Sequence, residues 1–377
     1  MELSTCDSLK DIPADSWNDL AGDSNPFIQH DFLLALEQNQ CLQPYGWYPN
    51  YLLVKENDKL IGAAPAYIKT NSYGEFVFDW SWADAYQQAG KKYYPKMVIA
   101  IPFTPANGPR FLVHASADKH QIIQKLTEFS RHVASELKLS TIHNLFLEKE
   151  ITDQQKSIGF FQRIDCQYHW HNDNYQSFDH FLSSLKKKKR KNIKQERRKI
   201  TESGIEIKRL SGEELTDEQW LRLYDFYRIT FLKKSGSPTL TLEFFKAIKH
   251  KVLAIVAFNE NEMVAGAICI KGKNVLYGRH WGCFEDYDGL HFEVCYYQGI
   301  EYCIENNIQL FEPGAQGEHK ISRGFMPTIT WSSHWVEDEE FRPIIIAHCQ
   351  RETEYMQLHF KDMCENSPFK DESIFSK

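Results

Sequence analysis

The chain alternates between strand-like and helix-like hydrophobic periodicity along its whole length. Apolar runs at Tyr51–Val54 and Ile61–Ile68 flank Asn57-Asp58, which is typical of a β-hairpin. The stretch from Asp118 to Leu137 has apolar residues at helical spacing, and a strand is predicted after it at Thr141–Leu147. Further strands are predicted at 76–82, 159–170, 252–258, 264–271, 275–281, 309–312 and 328–335, and further helices at 32–36, 177–204, 291–305 and 341–363. This alternation predicts an α/β protein with mixed sheets.

Four segments of the first half have counterparts in the second half, in the same order. The pairs are NPFIQHDF and SPTLTLEF, KLIGAA and MVAGAI, WSWADAY and WGCFEDY, and FTPANG and FEPGAQG, which begin at Asn25 and Ser237, Lys59 and Met263, Trp80 and Trp281, and Phe103 and Phe311. Matches in a fixed order predict a duplicated domain, in which Gly62 corresponds to Gly266 and Trp80 to Trp281.

The polar stretch HNDNYQS, residues 171–177, is the predicted linker. The predicted domains are therefore 1–170 and 171–377, and the second begins with a long helix that is capped by Ser177 and ends at Gly204. No low-complexity linker separates the halves, so we expect them to pack together and to bind ligands at their junction.

Composition restricts the setting in which the protein works. Hydrophobic residues make up 42% of the 377 residues, which is enough for packed cores, and no apolar run approaches the ~20 residues of a membrane span. The first residues are acidic and polar, unlike a secretory signal. The nine cysteines include no Cys-x-x-Cys pair. These features predict a reduced, cytoplasmic protein.

A strongly basic stretch contrasts with the acidic remainder of the chain. Residues 186–199 hold ten Lys and Arg residues against one Glu, a local charge of +9, whereas the whole chain has a net charge of −7. Lys186, Arg190 and Lys194 recur at helical spacing and are predicted to share a face. The stretch favours an anionic partner, and a pyrophosphate, a tRNA backbone and an anionic membrane surface all remain open. A plain solvated face is the other interpretation.

The glycine-rich segment 314–317 is the main candidate for chemistry. Gly314 and Gly317 permit positive φ and close approach of a ligand, and Gln316 lies between them. Candidate functional side chains around this segment are Glu312, His319, Lys320 and Arg323. Such a loop supplies a base and a positive charge for a developing oxyanion, with Lys320 expected at the surface. An ordinary turn with surface charges is the alternative.

Other polar residues are expected to line the same cleft. Arg279 and His280 end a predicted strand, and His291 and Glu293 begin the next helix. No spacing typical of a metal site is present, so no metal is predicted.

Two loops bear on the binding of phosphates. The loop CFEDYDG, residues 283–289, carries three carboxylates, which would repel a pyrophosphate. In the first half, QQAGKK at 87–92 precedes Pro95, which suits the first turn of a helix. That segment is a weak candidate for a phosphate cradle, and a surface loop is the alternative.

Several motifs resemble those of one enzyme family. The order of hairpin, strand, loop and helix is similar to the GNAT acyltransferase fold, and two copies resemble the Fem-type peptidyltransferases. The match is closest to FemAB-like N-acyltransferases, whose pattern includes the motifs PFTPANGPR, LYGRHWG, LHFEVCYYQGIE and GAQGEHKISRGF of this chain, which begin at residues 102, 276, 290 and 314.

The resemblance implies two tandem GNAT-like domains and transfer of an acyl or aminoacyl group to an amine. It implies that Arg190 and Lys191 bind the phosphates of a nucleotide-linked precursor. A cell-wall precursor is one such acceptor. Glu312, His319, Lys320 and His280 are then the predicted catalytic residues. Predicted substrate-binding residues are Arg190, Lys191, Arg279, Glu293, Gly314, Gln316, Gly317 and Arg323.

The donor stays open between an aminoacyl-tRNA and an acyl thioester such as acyl-CoA, and no tightly bound cofactor is expected. Peripheral contact with a membrane is a further option for the basic stretch. The competing hypothesis is a non-catalytic module that binds RNA or anionic lipid through Lys186–Lys199.

Overall fold

The computed structural model describes residues 1–233, 236–315 and 317–370, so the predicted site residue Gln316 lies outside the described part. The chain forms two compact units. The first comprises residues 1–165 and 329–358, and the second comprises residues 166–328 and 359–377. The segment 329–358, which the sequence places in the second domain, thus belongs to the first unit because its strand pairs with a strand of that unit.

The first unit contains five helices and eight strands of its own among the described residues. The helices are α1 (Ala14–Ala21), α2 (His30–Gln38), α3 (Trp80–Gln88), α4 (Lys119–Glu136) and α5 (Lys149–Lys156). The strands are β1 (Glu2–Cys6), β2 (Trp47–Pro49), β3 (Tyr51–Glu56), β4 (Lys59–Ala64), β5 (Ala66–Lys69), β6 (Lys96–Ile99), β7 (Leu112–Val113) and β8 (Thr141–Leu147). Three later elements cross the boundary between the units: β9 (Phe161–His171), β15 (Met326–Val336) and α12 (Phe341–Glu365).

The second unit begins with two helices and continues with a six-stranded sheet. Its helices are α6 (Phe178–Ser184), α7 (Lys187–Glu202), α8 (Asp217–Lys233), α9 (Leu242–Ala247), α10 (Leu290–Phe292) and α11 (Gln298–Glu305), and a π-helical turn at Glu293–Tyr297 joins the last two. Its strands are β10 (Glu206–Ser211), β11 (Val252–Asn259), β12 (Glu262–Lys271), β13 (Val275–Cys283) and β14 (Leu310–Glu312). The order is β10-β11-β12-β13-β14-β9.

Each unit is built on an antiparallel hairpin whose second strand carries a glycine. In the first unit Gly62 of β4 pairs with Val54, and in the second Gly266 of β12 pairs with Val256. A Cβ on Gly62 would lie 2.4 Å from the side chain of Ile122, and a Cβ on Gly266 would lie 2.6 Å from the side chain of Leu223. Ile122 belongs to α4 and Leu223 to α8. Both glycines therefore let a helix approach the sheet closely. In each unit a helical segment also connects two parallel strands, β6 to β8 and β13 to β14.

The turn of the first hairpin matches the sequence prediction, and the second hairpin has a turn of the same kind. Asn57 and Asp58 have positive φ angles of 49° and 62°, and Glu260 and Asn261 have φ angles of 47° and 72°. Two successive left-handed residues are the requirement of the tight turn that fits the twist of paired strands. The first unit also forms a separate four-stranded sheet in the order β1-β3-β4-β7, while β2-β5-β6-β8-β15 form its second sheet.

Two of the four repeat anchors are wrong. Trp80 begins helix α3, whereas Trp281 lies in strand β13. Phe103 lies in a loop with φ of 57°, whereas Phe311 lies in β14. Local similarity of letters at these places does not reflect the same element. The anchors at Pro26 and Pro238 both precede helices, α2 and α9, so the duplication itself stays a prediction that rests on these and the glycine pair.

The predicted strand at 76–82 is also wrong. Residues 76–79 form no strand, and α3 begins at Trp80. The period-2 alternation is nevertheless real, because Glu75 and Asp79 point into the core, where both bind Lys96. Side-chain ionic bonds, and not a ladder of backbone bonds, hold this segment in place.

The predicted long helix from Ser177 to Gly204 is interrupted. Ser177 caps α6 as expected, through its hydroxyl oxygen and the backbone N–H of His180. Leu185 and Lys186 then adopt extended conformations, and Lys186 donates its backbone N–H to the carbonyl of Pro368. Leu185 is fully buried, so its packing competes with continuation of the helix.

The candidate phosphate cradle of the first half does not have the geometry of one. Gln87 and Gln88 end α3, Gly90 follows with a φ of 71°, and a strand, not a helix, follows Pro95. The segment therefore lies at the negative end of a helix dipole. Lys91 is occupied by ion pairs with Asp338 and Glu340 at 2.6 and 2.7 Å.

All nine cysteines are free thiols. Within the described ranges, no helix is both long and apolar enough to cross a lipid bilayer.

Candidate active site

The sheet of the second unit has a notch where β14 ends. Strand β14 pairs in parallel with β13 as far as Tyr277 and Glu312, and its other edge pairs with β9 through Phe311 and Trp170. Beyond Glu312 the chain leaves the sheet, while β13 continues to Cys283. A short middle strand between two longer ones opens a cleft, and ligand sites are commonly found at the carboxyl ends of such strands.

Arg279 lies beside this notch because of a β-bulge. The register of β12 and β13 pairs Ile268 with His280 and Cys269 with Gly278, so Arg279 is the extra residue. A bulge redirects the side chain of the inserted residue. Burial lowers the pKa of the Arg279 guanidinium to about 10, and the carboxylate of Glu312 opposes this shift. Arg279 and Glu312 are thus brought together as predicted from the sequence.

The glycine-rich loop turns back over the end of β14. Gly314 and Gly317 have φ angles of 100° and 114°, which a residue with a side chain would adopt only under strain. The absence of a side chain at Gly278 lets the backbone of Pro313 pass close by, because a Cβ at Gly278 would lie 3.2 Å from the Cα of Pro313. The predicted need for glycine here is therefore confirmed at Gly314 and Gly317. A short 3-10 helix at Glu318–Arg323 follows.

Lys320 lies at the centre of the site and is buried, contrary to the expectation of a surface lysine. Only 2% of the residue is exposed, and its Nζ donates a hydrogen bond of 2.7 Å to the carbonyl oxygen of Gly314. In the described part of the chain no carboxylate lies within ion-pair distance of this ammonium group. Burial lowers the pKa of Lys320 to about 8, with a small opposing effect of the Cys295 thiol. A buried cation without a counter-ion is costly for folding and marks a functional candidate.

The π-helical turn at Glu293–Tyr297 faces this loop. The hydroxyl oxygen of Tyr296 lies 2.9 Å from Nε2 of His319. Cys295, from the same turn, is close enough to Lys320 for each to influence the pKa of the other. Single π turns occur mostly at functional sites.

The surroundings of His319 favour the neutral form of its imidazole. Burial first, and then the positive charges of Arg323 and Lys320, lower the pKa of His319 below its usual value. A neutral imidazole can accept a proton from an attacking amine. The roles of His319 as a base and of Lys320 as a stabiliser of an oxyanion stay predictions.

Sequence reasoning missed His169, which also belongs to this site. His169 is buried in β9, with its Nε2 3.2 Å from Oε1 of Gln167. Burial lowers the pKa of His169 to about 3, and the charges of His171 and Lys320 contribute to the shift. Gln167, His169 and His171 alternate with aromatic residues along the strand. This polar face of an otherwise apolar strand was the available signal.

Arg323 has a role in bracing the site. Its guanidinium donates to the Tyr297 hydroxyl at 3.0 Å, to the carbonyl of His319 at 3.0 Å and to Oε1 of Glu196 at 2.8 Å. The guanidinium carbon also lies 3.4 Å from the centroid of the Phe292 ring. With these partners, Arg323 fixes the loop on α7 and the π turn.

Glu293 and His280 each make contacts with residues outside the glycine-rich loop. Glu293 accepts hydrogen bonds from Arg197 at 3.1 Å and from Gln298 at 2.8 Å. His280 packs edge-to-face against Tyr227 and Phe245, at centroid distances of 4.7 and 5.6 Å. Burial lowers the pKa of His280 to about 3, with the charge of Arg279 as the second cause. The structure thus places His280 close to Arg279, and its catalytic role stays a prediction.

The two halves of the basic helix α7 differ in their partners. In the second half, Lys194, Arg197 and Lys199 form ion pairs with Asp179, Glu293 and Asp288, and Arg323 binds Glu196. In the described residues, the first half from Lys187 to Lys191 forms no ion pair. These cations also lie at the positive end of the helix dipole, where they are unfavourable without an anion. The predicted anion-binding residues Arg190 and Lys191 both lie in this half.

The acidic loop 283–289 precedes α10 and is only partly neutralised. Asp288 pairs with Lys199 at 2.6 Å, and the thiol of Cys283 donates to Asp286 at 3.8 Å. Gly289, with a φ of 85°, begins the helix. The loop where a pyrophosphate would need donors thus still presents carboxylates.

The alternating strands and helices, the hairpins with their glycines and the notch beside β14 define an α/β protein with two tandem GNAT-like units, as predicted. A sequence profile described as "FemAB-like: peptidoglycan biosynthesis/recognition" matches residues 8–371. The chain therefore belongs to the FemAB-like family. At the level of this family, the prediction of an acyltransferase is confirmed. No curated protein sequence matches the chain.

Solved structures share the fold at low sequence identity. FemX superposes with a TM-score of 0.57 at 10% identity, over 92% of this chain and 100% of FemX. L-PGS from Bacillus licheniformis gives a TM-score of 0.53 at 10% identity, over 90% of this chain and 96% of L-PGS. A conserved protein of unknown function from Bacteroides thetaiotaomicron VPI-5482 gives a TM-score of 0.51 at 11% identity, over 88% of this chain and 99% of that protein. At these identities the likeness shows the fold.

Proposed function

We propose that the protein transfers an aminoacyl group from an aminoacyl-tRNA to the amine of an anionic acceptor, in cell-wall or lipid biosynthesis. The observation that carries this proposal is the buried Lys320, for which the described residues provide no counter-ion, together with its neighbour His319, whose pKa is lowered, at the notch beside β14. Membership of the FemAB-like family and the fold shared with FemX and L-PGS support the reaction class.

The proposed chemistry needs no covalent enzyme intermediate. The neutral amine of the acceptor attacks the ester carbonyl carbon, and the carbonyl oxygen gains the negative charge. The ammonium group of Lys320 stabilises that oxyanion in a site of low dielectric constant. The proton of the attacking amine passes to His319, to Glu312 or to a group of the substrate. The C–O bond to the tRNA ribose then breaks, and the departing ribose oxygen takes a proton.

A cysteine nucleophile is disfavoured by the surroundings of Cys295. Burial raises the pKa of the Cys295 thiol well above its usual value, which outweighs the opposite effect of Lys320. The thiolate, not the thiol, is the nucleophile, so this residue is poorly suited to form an acyl-enzyme.

The proposed reaction is tested by single-turnover transfer from radiolabelled aminoacyl-tRNA to a panel of amine acceptors, including nucleotide-linked cell-wall precursors and aminated lipids. Formation of an amide that requires Lys320 supports the proposal. Absence of transfer from a complete set of aminoacylated tRNAs, together with transfer from an acyl thioester, would replace the donor.

Acetyl-CoA is not expected to bind at residues 283–289. Glu285, Asp286 and Asp288 repel a pyrophosphate, and among the described residues a lysine pairs with Asp288 alone of the three. Isothermal calorimetry with acetyl-CoA should give no heat that depends on this loop. The variant in which Ala replaces Glu285 and Asp286 serves as the comparison. The prediction would be contradicted if the wild type bound acetyl-CoA and this variant bound it more weakly.

Charge reversal in the first half of α7 is expected to weaken binding of an anionic partner. The variant Arg190→Glu/Lys191→Glu should bind unfractionated tRNA at least tenfold more weakly than the wild type, and wild-type binding should fall as salt rises. Stability should be nearly unchanged, because Lys191 is exposed and Arg190 is only half-buried, and unpaired charges at the surface contribute little to it.

The matched control for this experiment is Lys249→Glu/Lys361→Glu, which changes the net charge equally at two exposed positions of the same unit. Filter binding at several salt concentrations distinguishes the two variants. Equal weakening by both would mean that only total charge matters. Tight binding without any transfer in the assay above would favour the competing hypothesis of a binding module.

A further inference from the structure

A segment of the first unit reverses the usual placement of polar and apolar side chains. Between residues 72 and 80 the polar members Ser72, Glu75 and Asp79 are buried, while the aromatic members are exposed. The exposed fractions are 66% for Tyr73, 37% for Phe76, 51% for Phe78 and 38% for Trp80. A contiguous exposed set of large apolar side chains is informative, because such patches mark interaction sites.

Buried cations hold this segment from within. Lys96 donates hydrogen bonds to Ser72 and Glu75 at 3.0 and 2.8 Å, and it forms a shorter ion pair with Asp79. Lys69, which is fully buried, donates to the carbonyl of Tyr73 at 3.1 Å. The aromatic side chains are therefore presented by an ordered backbone, which lowers the entropic cost of binding a ligand.

The segment also has a strained backbone residue. Phe76 has a φ of 62°, a left-handed conformation that is unfavourable for a bulky side chain. Such strain is retained where surrounding contacts enforce it, and it clusters at ligand-binding sites. The same backbone conformation lets Glu75 reach Lys96 while Phe76 remains exposed.

Phe78 also lines a cavity of about 230 Å³ in the same unit. Its aromatic walls are Phe78, Phe146, Trp331 and Tyr355. Its polar groups include Ser332 and the ion pair between Arg163 and Glu352, whose Nε and Oε2 lie 2.9 Å apart. Arg163 also donates to the carbonyl of Phe78 at 2.7 Å, so the cavity and the aromatic segment are connected.

The charges of the unit restrict the ligand. The first unit holds 17 Lys and Arg residues against 26 Asp and Glu residues, a formal charge of −9. Nucleic acid and anionic lipid are therefore disfavoured. In the cavity Arg163 and Glu352 form an ion pair, and Asp165 adds a further carboxylate to the lining. The carboxylates of the segment, Glu75 and Asp79, are buried. The site thus disfavours a ligand that carries negative charge.

We propose that residues 72–80 and the adjoining cavity form a binding site for an uncharged sugar ring of a glycan. Aromatic faces carry partial negative charge and attract the polarised C–H groups of one side of a sugar ring. The partly exposed ion pair of Arg163 and Glu352 offers donor and acceptor atoms to its hydroxyl groups. The cavity is smaller than the ~300 Å³ or more of sites for larger ligands, which fits one ring. This inference is independent of the reaction proposed above.

The test is calorimetric and fluorescence titration of the full chain with two uncharged oligosaccharides, chitotetraose and maltotetraose. We expect saturable, weak binding of at least one of them, accompanied by a change in tryptophan emission. Phe78→Ala and Trp80→Ala should each weaken binding at least tenfold. Tyr48→Ala removes an aromatic side chain of similar exposure, 43%, from the same unit and should leave binding unchanged.

Three results would overturn the proposal. The first is no binding of either oligosaccharide, and the second is equal weakening by all three variants. The third is sedimentation of the wild type with phosphatidylcholine vesicles in the absence of any sugar binding. If Trp80→Ala abolished that sedimentation, the segment would be a membrane interface instead. All three substitutions are at exposed positions, so the variants are expected to fold.

Discussion

Replacement of Lys320 by methionine is expected to lower the turnover of aminoacyl transfer by about 100-fold or more, the usual effect of losing one donor to an oxyanion. Methionine keeps most of the volume of the lysine side chain but removes its charge. Because the ammonium group is buried with only the Gly314 carbonyl as partner among the described residues, its removal relieves a desolvation cost. The melting temperature should therefore be unchanged or higher.

The pH dependence distinguishes a charged role for Lys320 from a merely structural one. The pKa of Lys320 is about 8, so its amine is protonated at pH 7 and loses its proton as the pH rises through 8. Turnover should therefore fall above pH 8. In Lys320→Arg, whose guanidinium stays protonated, the residual activity should not show this fall.

Lys249→Met, at an exposed lysine of the same unit, is the control and should keep full activity. Wild-type turnover in Lys320→Met would remove this residue from the mechanism. A large drop in its melting temperature would instead indicate that Lys320 mainly braces the loop.

Replacement of Lys96 by methionine is expected to destabilise the first unit by about 3–5 kcal/mol, the usual effect of leaving buried charges unpaired. Lys96 is fully buried and serves two buried carboxylates, Glu75 at 2.8 Å and Asp79 at a shorter distance. For a unit of this size the melting temperature should fall by about 6–20 °C. The exposed neighbour Lys92 provides the control, and Lys92→Met should melt like the wild type.

The effect of Lys96→Met should depend on pH in a defined direction. Burial raises the pKa of Glu75 to about 7, and the charge of Lys96 is the main opposing influence. Without Lys96 this pKa rises further, so the folded state holds a proton that the unfolded state releases above its usual pKa of about 4.5. The variant therefore loses stability as the pH rises from 5 to 8.

Glu75→Gln in the Lys96→Met background tests this explanation, because it removes one of the unpaired charges. It should restore part of the stability at pH 8 and little at pH 5, as measured by urea unfolding. Equal stability of Lys96→Met and wild type at pH 8 would show that the buried charges are not mutually dependent. This result would also weaken the view that Lys96 positions the exposed aromatic segment.

The sequence alone determined the hairpins, the basic stretch and the glycine-rich loop. Each of these rests on local physical requirements. Asn57-Asp58 and Glu260-Asn261 form turns that need two residues with positive φ, and Gly314 and Gly317 adopt positive φ at a place where the chain must turn sharply. Periodicity over seven residues was enough to define β8 within its observed bounds, Thr141–Leu147.

Tertiary structure decided where the polar side chains of the site lie and what surrounds them. Lys320 reads as a surface residue because nothing in its neighbours along the chain indicates burial, and only the fold places it beside His169 and Cys295. His280 reads as a neighbour of the loop, but the bulge at Arg279 and the packing of Tyr227 determine its position.

Segment 72–80 shows the same division most clearly. Its alternation is visible in the sequence and predicts a strand. In the structure the ionic bonds of Lys96 with Glu75 and Asp79 bury the polar side chains, so the aromatic side chains lie outside. A period of two residues tells which side chains share a face. Which face is buried depends on partners that are 17 and 21 residues away in the sequence, and the fold alone brings them together.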